Sequence, residues 1–279
     1  MTPLSFMLIV LAISVVAGLF GSLLGLGGGI IVVPALSLLL GVDIRYAIGA
    51  SIVSVIATSS GAGAAYLRDR LVNIRVAMFL ELATTLGALG GAFLAGVVGG
   101  RLLHLVFAGA VVCTAISMWR HREASGSRPG APDRLADALA LNGSHCGQTT
   151  AQPEGYRVRR TRLGFALSGF AGIMSGLLGV GGGVIKVPVM SLSMGMPIKV
   201  ASATSNFMIG VTAAASAGVY FARGDIDPFI AGPTAIGVLC GSLLGARLMR
   251  RLESSALRAA FTVVLLVVAF QMLRRGVTP

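Results

Sequence analysis

The chain has 279 residues, of which 55% are hydrophobic and only 11% charged, and its mean hydropathy is +0.89. A soluble domain carries about 25% charged residues, so this composition excludes a water-soluble globular protein and indicates that the lipid bilayer is the solvent. The net charge of +12 does not indicate a nucleic-acid partner, because the basic residues lie between apolar runs, where orientation signals and contacts with membrane lipids account for them.

Apolar segments follow one another along almost the whole chain. They lie near residues 4–24, 30–41, 47–66, 76–98 and 102–119, and again near 163–179, 184–195, 201–220, 228–246 and 256–273. The stretch between the two series is rich in arginine and has no run long enough to cross a bilayer. The sequence therefore predicts an all-α polytopic membrane protein with a first transmembrane repeat at 1–119, a basic linker at 120–162 and a second transmembrane repeat at 163–279.

The two series are copies of one unit. The segment Gly18–Pro34 aligns without gaps on Gly172–Pro188, at an offset of 154 residues and with ten of seventeen positions identical. The same offset pairs Ser51 with Ser205 and Tyr66 with Tyr220. Apolar bias alone would not keep register over such a distance, so the pattern predicts an internal repeat.

Loop charges bear on the orientation of the two repeats. The loop after the third segment is basic in the first half, with Arg68, Asp69, Arg70 and Arg75, whereas its counterpart carries Arg223, Asp225 and Asp227. Under the positive-inside rule, this difference places equivalent loops on opposite sides of the membrane. The pattern favours an inverted repeat with five segments in each half, and a cytoplasmic linker in the inner membrane protein.

Two features of the chain leave alternatives open. Arg274 and Arg275 at the C-terminus suit a parallel repeat with an even number of crossings better than an inverted one. Within the linker, residues 141–146 and 156–159 are equally compatible with a short hairpin and with a mobile loop.

A glycine-rich run precedes a shortened apolar segment in each half. About a dozen apolar residues follow each run, which is roughly 17 Å of helix against a hydrocarbon thickness of roughly 30 Å. Such a segment cannot span the membrane alone, so two half-helices would aim free N–H groups at a shared point that suits an anion. The alternative is that the glycines only permit close helix packing. The candidate binding glycines are Gly27, Gly28, Gly29, Gly181, Gly182 and Gly183.

Polar side chains beside these runs are further candidates for anion binding. Ser51 in the first half, and Thr204, Ser205 and Asn206 in the second, would donate hydrogen bonds to the anion or merely cap a helix. Lys186 is a charge within a short intramembrane segment, where it would contact the anion, pair with an acidic side chain or snorkel to the interface.

Three further charged residues have less direct expected roles. Glu81 would be an interfacial carboxylate or a possible carrier of a coupling proton. Arg45 and Lys199, at the edges of the third segments, would attract the anion or anchor helix ends.

No pattern typical of an enzyme occurs in the sequence. There is no HExxH or GxSxG motif, the three histidines are scattered, and the three cysteines are unclustered. We therefore expect no catalytic residue, no metal site and no cofactor.

The doubled Gly-Leu-Leu-Gly-[Leu/Val]-Gly-Gly-Gly-x-Ile-x-Val-Pro runs, with Ala203–Phe207 and Gly224–Asp227, resemble the sulfite exporter TauE/SafE family of permeases over roughly residues 4–119 and 163–273. The resemblance implies secondary transport of sulfite, sulfoacetate or a related sulfur-containing or organic anion across the cytoplasmic membrane, with a coupling proton or cation as a possible partner. An anion channel is the alternative. The first half departs from the family pattern at Gly49–Ile52, where only Ser51 remains as a polar donor.

Overall fold

The computed structural model describes residues 3–99, 133–146 and 153–249, together with residues 251–252 and isolated positions within 102–112 and 259–270. Its first half contains one long helix, a short helix, a long rod interrupted by a π-helical turn, and another long helix. The bounds are α1 Pro3–Leu24, α2 Gly29–Pro34 with its π-helical continuation Ala35–Leu39, α3 Ile44–Thr58, the π-helical turn Ser59–Gly63, α4 Ala64–Arg68 and α5 Ile74–Ala95.

The second half repeats this order after the linker. The linker contributes α6 Arg134–Ala138, β1 Gly143–Cys146 and β2 Pro153–Tyr156. The second half contains α7 Thr161–Leu178, α8 Gly183–Pro188 with its π-helical continuation Val189–Ser193, α9 Ile198–Ala222 and α10 Pro228–Met249. The offset found in the sequence carries α2 onto α8, the α3–α4 rod onto α9, and α5 onto α10, so the internal repeat is also a structural one.

Five of the described helical stretches are long and apolar enough to cross a membrane: Pro3–Leu24, Ile44–Arg68, Ile74–Ala95, Thr161–Leu178 and Pro228–Met249. The 25-residue α9 is also long enough, but it is less apolar because it carries several serine, threonine and asparagine side chains, most of them buried. The short apolar stretches 29–39 and 183–193 confirm the prediction of short helices after the glycine runs. The predicted fifth segments, 102–119 and 256–273, lie mostly outside the described residues.

Helices of one half pack against helices of the other half through close backbone contacts. Helix α1 packs along α10, and α5 packs along α7. A methyl group on Gly91 would meet the carbonyl oxygen of Ile173, and one on Gly245 would lie 2.5 Å from the carbonyl oxygen of Leu19. These two contacts are equivalent under the repeat offset. The spacing Gly87-x-x-x-Gly91 and its copy in α10 therefore serve helix packing.

The contacts between the α3–α4 rod and α9 define their relative direction. Gly63 lies against the backbone of Asn206, whereas Gly210 lies against Ser59. Residue numbers thus rise along one element as they fall along the other, so these two equivalent elements run antiparallel where they touch.

The described part of the linker is a folded structure docked on the helices. Strand β1 pairs with β2 in an antiparallel hairpin, with Gly143 opposite Tyr156. This favours the hairpin over the mobile loop, although the second strand begins at Pro153, three residues before the predicted position. Asn73 Nδ2 donates to the Leu141 carbonyl and to Tyr156 Oη, both at 2.9 Å, which ties the hairpin to the start of α5.

Contacts between the linker and the helices shift the pKa of two linker side chains. The backbone N–H of Thr161 donates to Asp133 Oδ2 at 2.7 Å, and this bond holds the pKa of the Asp133 carboxyl below its usual value. Burial raises the pKa of the Tyr156 hydroxyl. The linker is therefore attached at the start of α7 as well as at the start of α5.

Candidate functional site

Two glycine turns form the centre of the candidate site. The first glycine turn, residues 25–29, joins α1 to α2, and the second glycine turn, residues 179–183, joins α7 to α8. Three residues in each turn have φ angles between 67° and 77°, a region that residues with a side chain rarely occupy. Glycine fills all of these positions: Gly25, Gly27 and Gly28, and Gly179, Gly181 and Gly182.

The two glycine turns touch each other. A methyl group on Gly183 would meet the carbonyl oxygen of Gly25, and one on Gly29 would lie 3.1 Å from the carbonyl oxygen of Gly179. Every residue of both turns is buried. The structure therefore brings all six candidate binding glycines together at the interface of the halves, with irregular backbone at a depth where only buried or cavity-lining backbone is tolerated.

Each half holds the glycine turn of the other half through a serine. Ser51 Oγ donates to the carbonyl of Gly179 at 2.6 Å, and Ser205 Oγ donates to the carbonyl of Gly25 at 2.7 Å. Both serines are completely buried. Their hydroxyl protons are committed to the turns in this structure, so a direct bond from either serine to an anion remains a prediction.

Thr204 and Asn206 also bind backbone groups. Thr204 Oγ1 accepts a hydrogen bond from the backbone N–H of Asn73 at 3.1 Å, which satisfies a donor at the start of α5 rather than one of its own helix. Asn206 Nδ2 donates to the carbonyls of Ser22 at 2.6 Å and Ser202 at 3.2 Å. The buried Asn206 Oδ1 has no hydrogen-bond partner among the described residues. Both side chains fix helices around the turns, and their predicted role toward an anion is untested.

Lys186 lies in a buried cluster of polar side chains beside the second glycine turn. Its Nζ donates to Thr212 Oγ1 at 2.7 Å, and Thr212 Oγ1 donates to Glu81 Oε1 at 2.6 Å. Lys186 Nζ also lies 3.7 Å from Glu81 Oε2, and Thr85 Oγ1 donates to Glu81 Oε1 at 3.2 Å. We call these four residues the Lys186 cluster. It joins α5, α8 and α9.

Burial decides between the interpretations of Lys186. The residue is 0% exposed, which is incompatible with snorkelling to the interface. A charge at the bilayer centre costs roughly 2.5–3.5 kcal/mol on insertion scales, and the Glu81 carboxylate offsets that cost by pairing with the ammonium group. Of the alternatives for Lys186, the structure thus shows pairing with Glu81, which is itself 12% exposed.

Thr212 and Thr85 are members of the cluster that the sequence did not single out. Serine and threonine are frequent in α9, and nothing in their spacing distinguishes Thr212 from its neighbours. Thr85 follows Glu81 by four residues, and this i,i+4 spacing on a helix could have indicated that the two side chains meet.

Arg45 and Lys199 lie away from the glycine turns. Each precedes its serine, Ser51 or Ser205, by six residues, which is about 9 Å along a helix. Arg45 lines a surface pocket of about 410 Å³, together with Asp43, Ile44, Tyr46 and Asp225. The structure does not join Arg45 or Lys199 to the Lys186 cluster, so attraction of an anion at the surface remains their predicted role.

Among the residues that the structure describes, no group of three His, Cys, Asp or Glu side chains could hold a metal ion.

Comparisons with known proteins agree with this architecture. The family model described as "Sulfite exporter TauE/SafE" matches residues 10–272. "Probable membrane transporter protein YunE" of Bacillus subtilis is 26% identical over 287 residues, which cover 98% of this chain and 99% of that protein. A "Probable membrane transporter protein" of Xylella fastidiosa is 28% identical over 266 residues, which cover 93% of each chain.

"Sulfite exporter TauE/SafE family protein 5" of Arabidopsis thaliana is 34% identical over 112 residues, which cover 39% of this chain and 25% of that protein. No solved structure matches the chain significantly. The family match over almost the whole chain, together with the five described helices that are long and apolar enough to cross a membrane, identifies a multi-pass membrane transporter.

Proposed function

We propose that this chain, which belongs to the sulfite exporter TauE/SafE family, is a secondary transporter that moves a small anion across the cytoplasmic membrane. The anion is sulfite or another sulfur-containing or organic anion such as sulfoacetate. The family name and the names of the relatives support transport, and the chemistry of the site supports an anion.

The observation that carries the proposal is the position of Lys186 beside the second glycine turn, which touches the first. The ammonium group is completely buried, and its Cε would lie 3.4 Å from a methyl group on Gly182. Backbone without side chains allows a ligand to approach N–H groups closely, and a nearby cation favours a negative ligand. In the first turn, however, the N–H groups of Gly25, Leu26, Gly27 and Gly29 donate to carbonyls of their own half, so the sequence-based expectation of free N–H groups is not met there. The charge of Lys186 is therefore the main attraction for an anion beside the turns.

The helix directions support alternating access. Equivalent elements, the α3–α4 rod and α9, run antiparallel at their contact, as expected for an inverted repeat with its site at the interface. In such an arrangement, rocking one half against the other opens the same site to either side of the membrane. The linker then lies in the cytoplasm, and the Asp225 turn lies on the opposite side.

A carrier is favoured over the channel alternative by the contact between the glycine turns. The two turns touch and are buried, so an anion reaches a site between them only after the halves move apart. A channel would need a continuous passage past its selectivity site.

Transport in proteoliposomes tests this proposal. Purified protein should show saturable uptake of at least one of sulfite, sulfate, thiosulfate, taurine and sulfoacetate, and preloaded anion should accelerate that uptake by counterflow. Gly90→Ala, whose added methyl group would meet nothing within 4 Å, serves as a folded control that should transport like the wild type. Uptake that neither saturates nor shows counterflow would favour the channel, and absence of binding or uptake for all five compounds would overturn the proposal.

Reporter fusions test the orientation. A reporter at Asp137 in the linker should be cytoplasmic, and one at Asp227 should lie on the opposite side. Finding the Arg70 loop and the Asp225 loop on the same side would contradict the inverted repeat.

A further inference from the structure

Lys186 already has an anion beside it, the carboxylate of Glu81. Resting on the proposed function, we infer that Glu81 is an internal anion that competes with the transported anion for Lys186, and that Glu81 takes up one proton when the transported anion displaces it. The cluster would then couple transport of one anion to one proton.

The two oxygens of the Glu81 carboxylate have different surroundings. Oε1 accepts hydrogen bonds from Thr212 at 2.6 Å and Thr85 at 3.2 Å. Oε2 is buried, and no group in the described part of the chain donates a hydrogen bond to it. Its 3.7 Å separation from Lys186 Nζ is too long for a hydrogen bond. One oxygen is therefore anchored, and the other is held by charge alone and can accept a proton.

The charge balance of the cluster explains why a proton must enter. Lys186 and Glu81 together are neutral in this structure. A monovalent anion that joined them with Glu81 still ionised would leave a net negative charge in a buried site, which is strongly unfavourable. When the anion forms its ion pair with Lys186, the Lys186–Glu81 pair breaks, and a proton from solvent forms an O–H bond at Glu81 Oε2. With a monovalent anion the cluster is then neutral again, and with a dianion such as thiosulfate or sulfoacetate the proton removes one of its two excess negative charges.

Glu81 is the less buried member of the ion pair. Its side chain is 12% exposed, whereas Lys186 is 0% exposed, although the Oε2 atom itself is buried. In this inference the carboxylate therefore takes up its proton when the halves move apart and admit the anion with water.

Other charged groups on the packed helices lie near helix ends. Arg75, one and a half turns before Glu81, donates to the Ala140 carbonyl. On α7, Arg162 is exposed in the first turn, and on α9 Lys199 lies in the first turn. Arg223, which follows α9, donates to the Ala92 carbonyl and to Asp225. Within the described residues, Lys186 is the charged group that forms an ion pair with Glu81.

Calorimetric anion binding measures the proton directly. Wild-type protein is titrated with thiosulfate, sulfoacetate and sulfite at about pH 6 and about pH 8, in two buffers of different ionisation enthalpy. Thiosulfate and sulfoacetate do not change charge over this range, and for sulfite the Glu81→Gln variant provides the correction for the anion's own titration. We expect about one proton taken up per anion bound, and an affinity that falls up to about tenfold per pH unit as pH rises.

Two variants make the assignment specific. Glu81→Gln keeps the shape of the side chain but should abolish proton uptake, remove the pH dependence of affinity and bind the anion more tightly than the wild type at about pH 8. Asp225→Asn removes a carboxylate from the Arg223 ion pair, far from the cluster, and should retain the proton uptake of the wild type.

The results separate this inference from the proposed function. Binding without proton uptake in the wild type, or equal uptake in wild type and Glu81→Gln, would overturn the inference and leave anion transport standing. Loss of uptake in Asp225→Asn with retention in Glu81→Gln would assign the proton elsewhere and also overturn it. Absence of binding by every anion tested would contradict the proposed function, and the inference would fall with it.

Discussion

The surroundings of the two glycine turns differ in charge although their backbones are alike. Beside the second turn, Lys186 pairs with Glu81 through Thr212. Under the repeat offset, Lys186 and Thr212 correspond to Val32 and Thr58 of the first half, and Glu81 corresponds to Ala235 in α10 of the second half. The hydroxyl of Thr58 only donates to its own helix, at the Ser54 carbonyl.

This difference separates the architecture of the protein from its chemistry. The glycine turns, the serines that hold them and the close glycine contacts between helices occur twice, so they define the fold. The buried ion pair lies beside the second glycine turn and has no counterpart beside the first. It therefore makes the two otherwise equivalent turns different in charge. Substitutions at equivalent packing positions should therefore lower stability equally in the two halves. Substitutions in the ion pair should lower stability more than substitutions at the equivalent positions beside the first turn.

The largest expected effect is that of removing the cation. Lys186→Met leaves the Glu81 carboxylate buried without a partner, which should lower the free energy of unfolding by about 3–5 kcal/mol. Glu81→Gln in the same protein should restore part of this loss, because no unpaired charge remains. Melting temperatures in detergent provide the measurement. Val32→Met, the matched control, adds volume at a buried position and should cost about 1–3 kcal/mol, less than Lys186→Met. An equal loss at Val32 and Lys186 would remove the asymmetry.

Breaking the contact between the turns should have the next largest effect, and in both halves. A methyl group at Gly183 would meet the Gly25 carbonyl oxygen, and one at Gly29 would meet Ser51 Oγ. Overpacking of this kind costs about 1–3 kcal/mol. Gly183→Ala and Gly29→Ala should therefore both lower the melting temperature and abolish transport. Wild-type behaviour of either variant would show that the turns do not pack as described.

Much of this architecture could be predicted from the sequence. The offset between Gly18–Pro34 and Gly172–Pro188 predicts the repeat, and the shortness of the apolar runs predicts the helices broken at the glycine turns. The short helices are confirmed, because they depend on backbone geometry that glycine encodes locally. The order of the elements follows the same offset in both halves, whereas the inverted arrangement of the repeats stays a prediction. The sequence also shows directly that Lys186 places a charge within a short apolar segment.

The partners of these groups could not be predicted to the same degree. The bond from Thr212 to Glu81 joins residues 131 positions apart, and only the packing of α5 against α9 brings them together. Each serine has a hydroxyl group that can donate a hydrogen bond, but the sequence does not specify which group accepts it. In the structure, Ser51 and Ser205 donate to carbonyls of the opposite half, because helices of the two halves pack against each other.

A smaller effect should distinguish two equivalent threonines. Thr212→Val keeps the shape of the side chain but removes the hydroxyl between Lys186 and Glu81, and a bond to a charged group contributes about 1.5–3 kcal/mol. Thr58→Val removes a single bond to a backbone carbonyl and should cost about 1 kcal/mol. Chemical denaturation of the two variants measures the difference. Equal losses would mean that the threonine does not support the ion pair.

The smallest effect should be the same in both halves. Ser51→Ala and Ser205→Ala each remove one buried hydrogen bond to a glycine turn, at 2.6 and 2.7 Å respectively. Each should lower the free energy of unfolding by about 1 kcal/mol. Because the bonds are equivalent, the two losses should agree within about 0.5 kcal/mol. A large loss at one serine alone would show that its turn is held differently from the other.

The most direct test of the central claim, that Lys186 gives the anion its site, is the anion affinity of the double variant Lys186→Met/Glu81→Gln. The double variant removes both charges, so it can fold without a stranded carboxylate, and its melting temperature verifies that it does. Affinity for sulfite, thiosulfate and sulfoacetate should fall at least tenfold relative to the wild type, equivalent to about 1.4 kcal/mol. A folded double variant that binds these anions with wild-type affinity would contradict the account.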